Sequence, residues 1–531
     1  MESLEERIAT LEAWVADHAD AHSMALKHTA DVNTAWLLWC GILVFFMQVG
    51  FAMLEVGSVS LKNTQAVLIK NVLDAALGAI CWWILGHGLA YGRDAGGFIG
   101  TGDFVLRASR VASGEKGVEF GKWFFQWAFA ATAATIVSGA MAERIRIVAY
   151  VQLSIFIAVF IYPVVVHWAW SLGGWASPFR CTDRTTAEDY QACRSNDRSL
   201  LLGCGSADFA GAGVVHLTGG VCAVVAAAVV KPRTGRFRGD GCGYRLPQQI
   251  PALQTLGALI IWVGWYGFSG GSIGPISSGR STLAAKTMVN TTIAAASGVI
   301  SMSILVKVFY KKFESTHLNN GVLSGLVAIS SSGPLVDADG ALITGICASA
   351  FYLLGIRILR RFKIDDVVQA SAVHLGCGAW GLIASGFFVT RRNYRDVYSY
   401  RVFADPGRDA KCCGLLYGCR GRLLGANLFF LLAIIAWAAG LTYLAVRCIK
   451  ALVGLRVPLN VETLGLDTSR HVRSKESAAF RVALRTAANK SDRGSGASSH
   501  RTSLRTRHAE NPRGGPPLKQ LPHWRDVAQT R

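Results

Sequence analysis

The sequence predicts an all-α protein that crosses a membrane many times, and three observations support this prediction. Hydrophobic residues make up 51% of the 531 residues and charged residues only 17%, a composition typical of polytopic membrane proteins rather than of soluble domains. Apolar runs long enough to cross a hydrocarbon core of ~30 Å recur along the chain. Two of these runs share one pattern, an aspartate followed by seven residues and a histidine.

Eleven apolar runs are candidate membrane helices. They lie at residues 34–57, 67–92, 120–141, 147–170, 209–230, 250–270, 283–308, 320–333, 341–356, 371–390 and 424–448. The eighth run is short and rich in glycine and serine, so its ends are the least defined. Residues 34–450 are therefore predicted to form one membrane domain.

The leader, residues 1–33, carries apolar residues at helical spacing among acidic ones. This pattern is typical of a short amphipathic helix, although a solvated leader fits it as well. The acidic start lacks the basic segment and apolar core of a cleavable signal peptide, so the first span is expected to direct insertion.

Lysine and arginine in the short loops predict the orientation, because cytoplasmic loops are enriched in them. The amino terminus is placed outside and the carboxyl terminus in the cytoplasm, which suits a plasma-membrane protein. The basic loop at about 391–423 is an exception, since it falls outside. The residues assigned to the cytoplasmic side are Lys62, Lys70, Arg144, Arg146, Lys231, Arg233, Arg236, Arg238, Arg245, Lys307, Lys311, Lys312, Arg357, Arg360, Arg361 and Lys363. The loop 231–245 is read as no more than this kind of charge.

Six of the 13 cysteines fall in two loops that this topology places outside: Cys181, Cys193, Cys204, Cys412, Cys413 and Cys419. Disulfides are expected in an oxidising compartment, but the sequence leaves their pairing open. No cysteine spacing indicates a metal site.

The net charge of +20 does not indicate a nucleic-acid partner, because much of it is concentrated in a polar tail. From Ala451 onward there are 15 lysines and arginines against 6 acids, a difference of +9. Such a tail is typical of an arm that binds a membrane surface or a partner protein.

The repeated pattern is the strongest functional signal. Asp208 precedes His216 by eight residues, and Asp366 precedes His374 by eight residues, with Val-His-Leu common to both. Eight helical residues rise by ~12 Å, which places each histidine near the middle of the membrane, where an ionisable residue indicates function. The fifth span is predicted to run inward and the tenth outward, so spans 1–5 and 6–10 form an inverted repeat with a substrate site between the halves.

The motifs around this pattern resemble those of the Amt/Mep/Rh ammonium transporters, specifically the Amt branch, over about residues 34–471. They are Gly50-Phe-Ala-Met-Leu-Glu55, Lys62-Asn-Thr64, Lys70-Asn-Val-Leu-Asp74, Phe125-Gln-Trp-Ala-Phe129, Ala142-Glu-Arg-Ile-Arg146, Asp208–Gly220, Gly264-Trp-Tyr-Gly-Phe-Ser-Gly-Gly-Ser272 and Asp365-Asp366. The resemblance implies eleven helices and a homotrimer with one pore per subunit. It also implies selective conduction of ammonium or methylammonium, without enzymatic activity or a cofactor.

The resemblance also assigns roles to individual residues. Trp170, Phe129 and Ser272 match the outer ammonium-binding vestibule, Phe129 and Phe268 match a stacked aromatic gate, and His216 and His374 match the twin-histidine pair. Asp208 matches an acid needed for transport, for which the resemblance implies the role of a structural cap near the vestibule, and Asp366 is its counterpart in the second half. Aromatic faces and one hydroxyl acceptor suit a desolvated cation, each face contributing ~1–2 kcal/mol.

Two positions depart from the family pattern, and both put the rate and affinity of transport in doubt. Gln369 stands where the family usually has another aspartate, so either the helix-start role passes to Asp365 or Asp366 or the local stability is lower. Ser269 stands where asparagine often follows the gate phenylalanine.

Residues 451–471 resemble the cytoplasmic regulatory segment of the Amt branch. In that branch the segment contacts the neighbouring subunit and is phosphorylated by a kinase to close the pores, which marks Ser469 and Thr468 as candidate phosphosites. Residues 472–531 show no such resemblance, and their composition predicts a basic disordered tail.

Burial disfavours a charged imidazole, so the two histidines are expected to be neutral and to share one hydrogen. Bare ammonium pays a large desolvation cost in an apolar pore, whereas ammonia does not. The expected mechanism is therefore deprotonation at the outer site and passage of ammonia. The alternatives are an ammonium sensor that signals through its tail and a redox protein with the two histidines as haem ligands.

Overall fold

A computed structural model describes residues 4–106, 116–180, 200–237, 250–277, 279–311, 313–398 and 411–471. Several sequence predictions concern residues outside these ranges, namely Cys181, Cys193, Arg238, Arg245, Lys312 and the tail 472–531. The rest of the fold and the whole candidate site lie inside them.

Eleven long helices follow one another in the described ranges, and they match the eleven apolar runs one for one. They are α1 (Leu4–Ser58), α2 (Leu61–Tyr91), α3 (Lys116–Ala140), α4 (Ile147–Trp170), α5 (Ala212–Val230), α6 (Pro251–Gly271), α7 (Ser281–Tyr310), α8 (Ser315–Ile329), α9 (Ala338–Arg361), α10 (Ser371–Phe388) and α11 (Arg422–Val453). Within the described part of the chain, all but α3 and α8 combine the length and apolarity needed to cross a membrane. The multi-pass helical architecture is confirmed, while the exact number of spans stays a prediction.

Helix α8 is shorter than a membrane span. Its 15 residues fall below the ~20 that cross a hydrocarbon core, and its described residues from Thr316 to Ile329 are nearly all buried. The shortness predicted for the eighth run is therefore real, and protein rather than lipid surrounds this helix.

Helix α1 differs from the prediction of a separate leader. It runs without a break from Leu4 to Ser58, so the leader and the first span form one helix of 55 residues. Asn33 fixes the level at which the span begins, because its side-chain amide exchanges two hydrogen bonds of 2.9 Å with Ser277 after α6.

Helices α1 and α6 pack backbone to backbone along their length. A Cβ atom on Gly57 would lie 2.4 Å from the backbone nitrogen of Gln254, and one on Gly257 would lie 2.4 Å from that of Leu54. Small residues at such crossings let membrane helices approach closely. These two helices are the first of each predicted half, so their contact joins the halves.

Helices α5 and α10 cross each other in opposite directions. The first turns of α5, residues 212–217, contact the later part of α10, and the first turns of α10, residues 371–376, contact the later part of α5. Both first segments have π-helical hydrogen bonding, a local widening that is frequent at functional sites. The two helices that carry the paired pattern are thus antiparallel, as the predicted inverted repeat requires.

His167 is a structural residue near the end of α4. It is fully buried, and its ring nitrogens lie 2.8 Å from the Ala90 carbonyl oxygen and 3.0 Å from Asp94 Oδ1. Asp94 belongs to a hairpin in which β1 (Arg93–Ala95) pairs with β2 (Ile99–Thr101). The histidine therefore attaches this hairpin to α2 and α4.

The prediction that Lys70 lies in a cytoplasmic loop is wrong. Lys70 lies inside α2 and is 3% exposed, and its Nζ donates to the Ser138 carbonyl oxygen at 3.3 Å. A charged residue is tolerated there because acids surround it: Glu55 and Asp74 are buried beside it. The apolar run hid this residue, since one lysine scarcely alters the mean hydropathy of a span.

The loop that begins at Lys231 is more than a carrier of positive charge, so that interpretation is also wrong. Arg233 is largely buried and forms ion pairs with Glu143 and with Asp365, whose Oδ2 lies 2.7 Å from its Nε. Burial alone raises the pKa of Asp365, but the Arg233 guanidinium outweighs burial and holds that pKa well below its usual range.

Arg144 is fully buried beside this ion-pair cluster. Its guanidinium donates to the carbonyl oxygens of Lys231 at 2.9 Å, Ala140 and Ala142 at 3.1 Å, and Asp365 at 2.5 Å. The Lys231 carbonyl follows α5, the Ala140 and Ala142 carbonyls lie at the end of α3 and just after it, and the Asp365 carbonyl precedes α10. One side chain thus joins the carboxyl ends of α3 and α5, where exposed carbonyls favour a cation, to the segment before α10.

The segment after α11 folds back onto the same face through two short helices, Leu459–Leu464 and Leu466–His471. Arg456 pairs with Ile145 in a β-bridge and binds Glu462 through two nitrogens. Farther along, the Asp467 carboxylate accepts hydrogen bonds from the backbone nitrogens of Gln65 and Ala66. The carboxylate therefore caps the first turn of α2, where the helix dipole favours a negative charge.

Two disulfides connect described cysteines of the loops predicted outside. Cys204 bonds to Cys412, and Cys413 bonds to Cys419. The first joins the segment before α5 to the segment before α11, and the second closes a small loop. The six cysteines expected in the spans are free: Cys40, Cys81, Cys222, Cys347, Cys377 and Cys448.

A buried aromatic and histidine passage

The start of α5 differs from the expected helix that begins at Asp208. Residues 208–211 are not helical, and Gly211 adopts a left-handed conformation with φ 99° before the helix begins at Ala212. Asp208 Oδ2 instead accepts hydrogen bonds from the backbone nitrogens of Gly213 and Val214, at 3.0 and 2.7 Å. The buried carboxylate thus satisfies the free donors of the first turn, the role of a helix cap.

The start of α10 repeats this arrangement. Asp366 accepts hydrogen bonds from the backbone nitrogens of Ala370 at 3.1 Å and Ser371 at 2.6 Å. Gln369 occupies the left-handed region with φ 64°, five residues before His374, as Gly211 lies five residues before His216. Of the two acids expected to take over the helix-start role, Asp366 caps the helix and Asp365 binds Arg233.

His216 and His374 face each other where α5 and α10 cross. Their Nδ1 atoms lie 3.1 Å apart, a hydrogen-bond distance in which one ring donates and the other accepts. Both rings are buried, and His216 Nε2 has no hydrogen-bond partner among the described residues. The pair therefore leaves His216 Nε2 open among aromatic rings.

Phe129 and Phe268 stack above the histidines. Their ring centroids lie 4.1 Å apart with an angle of 15° between the planes, and the Phe268 centroid lies 5.4 Å from that of His216. Both phenylalanines are fully buried. The predicted gate residues are thus in contact and separate the histidines from the residues above them.

The predicted vestibule residues surround the outer side of this stack. The Trp170 ring meets the Phe129 ring edge to face at 6.0 Å, and its Nε1 donates to the Asp208 carbonyl oxygen at 2.8 Å. Ser272 lies one turn beyond Phe268 and donates its hydroxyl hydrogen to the Phe268 carbonyl oxygen at 2.8 Å. Its oxygen lone pairs remain available as acceptors.

Trp265 is a site residue that we did not single out from the sequence, although it lies within a motif quoted above. Its ring stacks on His216 with centroids 5.0 Å apart and 15° between the planes, and its Nε1 donates to Ser330 Oγ at 3.1 Å. It precedes Phe268 by three residues, so the two rings share a helix face. That spacing is the signal that identifies it.

Ser269 departs from the family pattern, and the structure gives it no compensating contact. Its side chain is buried, and its hydroxyl has no hydrogen-bond partner among the described residues. An unpaired buried hydroxyl costs ~1–3 kcal/mol of stability, so Ser269 lowers the stability of the fold beside Phe268.

These elements define a class of protein, a multi-pass membrane transporter with a buried site in one chain. Aromatic rings and two facing imidazoles form the site, and acids beside it cap the starts of two helices. Across the residues that the structure describes, no cluster of three or more His, Cys, Asp or Glu side chains is arranged to hold a metal ion.

The chain belongs to the Ammonium Transporter Family, whose sequence model matches residues 35–476. It is 36% identical over 452 residues to ammonium transporter 1 member 3 of Solanum lycopersicum, covering 83% of this chain and 92% of that protein. It is 32% identical over 469 residues to ammonium transporter 3 of Dictyostelium discoideum, covering 88% and 98%. The resemblance to the Amt branch is thus confirmed, and the family consists of transporters rather than enzymes.

Solved structures agree with this assignment. A protein described as a sensor Amt protein superposes with a TM-score of 0.71 and 30% identity, covering 84% of this chain and 99% of that one. Mep2 of Saccharomyces cerevisiae superposes with a TM-score of 0.66 and 22% identity, covering 81% and 88%. At that identity the second comparison supports the fold alone.

Proposed function

We propose that the chain binds ammonium at an outer aromatic site, removes its proton and conducts ammonia past the twin histidines. One observation carries this proposal: the His216–His374 pair lies directly beneath the stacked Phe129–Phe268 pair. Trp170 and Ser272 lie beyond the phenylalanines and complete the outer site.

The outer site suits ammonium for two reasons. The faces of Trp170 and Phe129 attract a cation by ~1–2 kcal/mol each when water is excluded. The Ser272 oxygen accepts a hydrogen bond, which ammonium donates and a potassium ion does not. The same contacts accept methylammonium, which keeps three N–H donors.

The passage beneath the gate suits the neutral molecule. Taking a bare cation out of water costs far more than taking ammonia, because a charge buried without a counter-ion is strongly disfavoured. Ammonia donates and accepts hydrogen bonds, so the open His216 Nε2 is a partner for it. Transport with or without the accompanying proton is compatible with this arrangement.

The test is methylammonium uptake into proteoliposomes, with the current recorded. Replacing His216 and His374 together by alanine should reduce uptake or its selectivity over potassium by tenfold or more, the effect of losing one or two hydrogen bonds along the path. His28→Ala is the matched control, because His28 is exposed on the leader. Wild-type uptake and selectivity in the double variant would overturn the proposal.

The disulfides support the proposed orientation. Disulfides persist in oxidising compartments, so the face that carries Cys204–Cys412 and Cys413–Cys419 belongs outside the cell. The basic loop at about 391–423 contains three of these cysteines, which supports its external position despite its charge. The plasma membrane is the proposed location, with the amino terminus outside and the carboxyl terminus inside.

Cysteine labelling in intact cells tests the orientation. In a Cys448→Ser background, Leu172→Cys after α4 should react with an impermeant maleimide, and Arg361→Cys at the end of α9 should react only after permeabilisation. The reverse pattern would contradict the orientation.

A homotrimer with one pore per subunit is proposed on the resemblance to the family, and the mass of the purified complex tests it. Regulation through residues 451–471 is proposed on the contacts of Asp467. Ser469 lies two residues from that cap, and its hydroxyl donates to the Leu466 carbonyl oxygen at 3.2 Å. A kinase that phosphorylates Ser469 or Thr468 would place like charge beside Asp467 and weaken the cap.

An ammonium sensor is the alternative function, and the similarity to the sensor Amt protein supports it. A transport-deficient yeast separates the two. Growth on low ammonium supports transport, whereas a pure sensor gives no rescue.

A further inference from the structure

A second buried polar cluster lies beside the start of α10, away from the aromatic passage. It contains Asn320 and His317 of α8, Tyr352 of α9 and Gln369. The cluster reaches the aqueous face through Glu314, whose side chain is 32% exposed and which immediately precedes α8. Three buried side chains, those of His317, Tyr352 and Asn320, thus link a solvent-accessible carboxylate to the half-buried Gln369 just before α10.

Gln369 is the strained end of this cluster. A residue other than glycine in the left-handed region is uncommon and persists only where its surroundings hold it. Its Oε1 accepts hydrogen bonds from the Tyr352 hydroxyl and from Asn320 Nδ2, the latter at 3.2 Å. Its carbonyl oxygen accepts the hydrogen bond from Val373 at 3.2 Å, so the held residue also orders the turn that carries His374.

Counting donors fixes the protonation of His317. The Tyr352 hydroxyl has one hydrogen and donates it to Gln369, so its oxygen only accepts from its other neighbours. Asn320 Nδ2 donates to that oxygen at 2.9 Å, and His317 Nδ1 lies 3.2 Å from it. His317 must therefore carry a hydrogen on Nδ1.

The other ring nitrogen also has a partner that calls for a hydrogen. His317 Nε2 lies 3.5 Å from Glu314 Oε2, and a carboxylate only accepts. When both nitrogens carry a hydrogen, the ring is an imidazolium and its charge pairs with Glu314. The ring also stacks on Tyr310, with centroids 5.4 Å apart. Each element packed around this cluster contributes titratable or charged side chains. They are Glu314 before α8, Tyr310 of α7, Tyr352 and Arg360 of α9, and Cys377 of α10.

We propose that His317 and Glu314 are positioning residues that make transport depend on the pH of the cytoplasmic side. With the imidazolium present, Tyr352 is held by His317 and in turn holds Gln369 in its strained conformation. When one proton leaves, the Glu314 carboxylate keeps the remaining hydrogen on Nε2, which faces it. Nδ1 then has no hydrogen, the Tyr352 contact loses its donor, and the turn before His374 loosens. Transport should therefore be highest at acidic internal pH and should fall as that pH rises through the imidazole range.

This inference rests on the proposed transport function, and the experiment separates the two. Proteoliposomes are held at one external pH while the internal pH is varied from about 5.5 to about 8, which brackets the ordinary imidazole value. Wild-type methylammonium uptake should fall about fivefold to tenfold across this range, the effect of losing one hydrogen bond. His317→Asn should abolish the fall, because the asparagine amide donates to Tyr352 but does not titrate.

Three further variants sharpen the result. Glu314→Gln should move the midpoint of the fall to lower pH, because the imidazolium loses its counter-ion. His317→Leu should transport at the low level at every pH, and His28→Asn should match the wild type. The same pH profile in the wild type and in His317→Asn would overturn the inference.

The stability of the purified protein provides a readout that does not depend on transport. The wild-type melting temperature should fall across the same pH range, and that of His317→Asn should not. If no protein transports but the two melting profiles differ, the proposed function fails and the cluster stands. If uptake is normal and both profiles coincide, the inference fails and the proposed function stands.

Discussion

The starts of α5 and α10 share one backbone geometry but use different residues at its left-handed position. In each case a left-handed residue lies five positions before the histidine, just ahead of the helix. An aspartate eight positions before the histidine caps the helix. The first uses Gly211, which adopts this conformation freely, and the second uses Gln369, which neighbouring side chains must hold. The comparison teaches that, at the left-handed position, the chain repeats a backbone geometry rather than a residue type.

The segments before the two starts are also anchored differently. Cys204 lies four residues before Asp208 and is anchored by a disulfide, whereas Asp365 adjoins Asp366 and is anchored by ion pairs with Arg233. Disulfides suit an oxidising compartment, and the cytoplasm keeps thiols reduced. Each anchor thus matches the side of the membrane on which the proposed orientation places it.

Removing the caps should give the largest effect. Asp208→Ala leaves two buried backbone N–H groups without an acceptor, at ~1–3 kcal/mol each, and should abolish uptake. Asp366→Ala should cost less, because Asp366 is 9% exposed and Asp208 only 2%, and water can reach the freed groups. Melting temperatures and uptake of both variants measure this, and a larger loss in Asp366→Ala would break the comparison.

Exchanging the left-handed residues should give the next effect. In Gly211→Ala, the new Cβ would lie 2.8 Å from Val215 Cγ2 and 3.1 Å from Trp170 Cη2, at φ 99°. We expect a loss of about 2 kcal/mol and weaker binding at the outer site as Trp170 moves. A rise in the apparent KM for methylammonium checks this, and an unchanged KM would contradict it.

Gln369→Gly should be milder, because glycine removes the backbone strain while the side-chain hydrogen bonds are lost. These changes oppose each other and should leave the free energy of unfolding within about 1 kcal/mol of the wild-type value. Thermal unfolding at neutral pH measures it. A loss as large as that of Gly211→Ala would show that the two positions are not equivalent.

Acidification should weaken the ion-pair anchor, and a reducing agent should weaken the disulfide anchor. The resulting shifts in melting temperature should be the smallest in the series. The pKa of Asp365 is held below its usual range, so its ion pair stabilises the fold above about pH 4, the unfolded value, and is lost as the pH falls through the lower folded value. Asp365→Asn should therefore reduce the decline in melting temperature on acidification. A reducing agent at neutral pH should lower the melting temperature of the wild type more than that of Cys204→Ser/Cys412→Ser, which keeps only the Cys413–Cys419 disulfide.

Much of the fold and site followed from patterns that the chain repeats. Apolar runs located the long helices, because hydrophobic length is fixed by the membrane, and the paired Asp–His spacing located the two facing histidines. The capping role of Asp208 was also foreseen. Side chains that lie within apolar runs and short loops were misread, as Lys70 and Arg233 show, because hydropathy does not report whether a charge faces a partner.

The remaining features depend on contacts between distant parts of the chain. The continuity of α1 through the leader, the strained conformation of Gln369 and its link to His317 all arise from packing that no local pattern encodes. Trp265 was within reach of the sequence, since its three-residue spacing from Phe268 predicts a shared helix face. It was missed because a tryptophan in a membrane helix usually serves packing.

The four bonds of Arg144 bear on how the protein moves. This guanidinium binds carbonyls of α3 and of the segment after α5 in the first half, and the Asp365 carbonyl in the second, while α1 and α6 interlock through glycines. A carrier that rocks one half against the other would have to break these buried contacts in every cycle. We therefore expect the two halves to remain fixed during turnover, with only side chains such as the gate phenylalanines moving to admit each molecule.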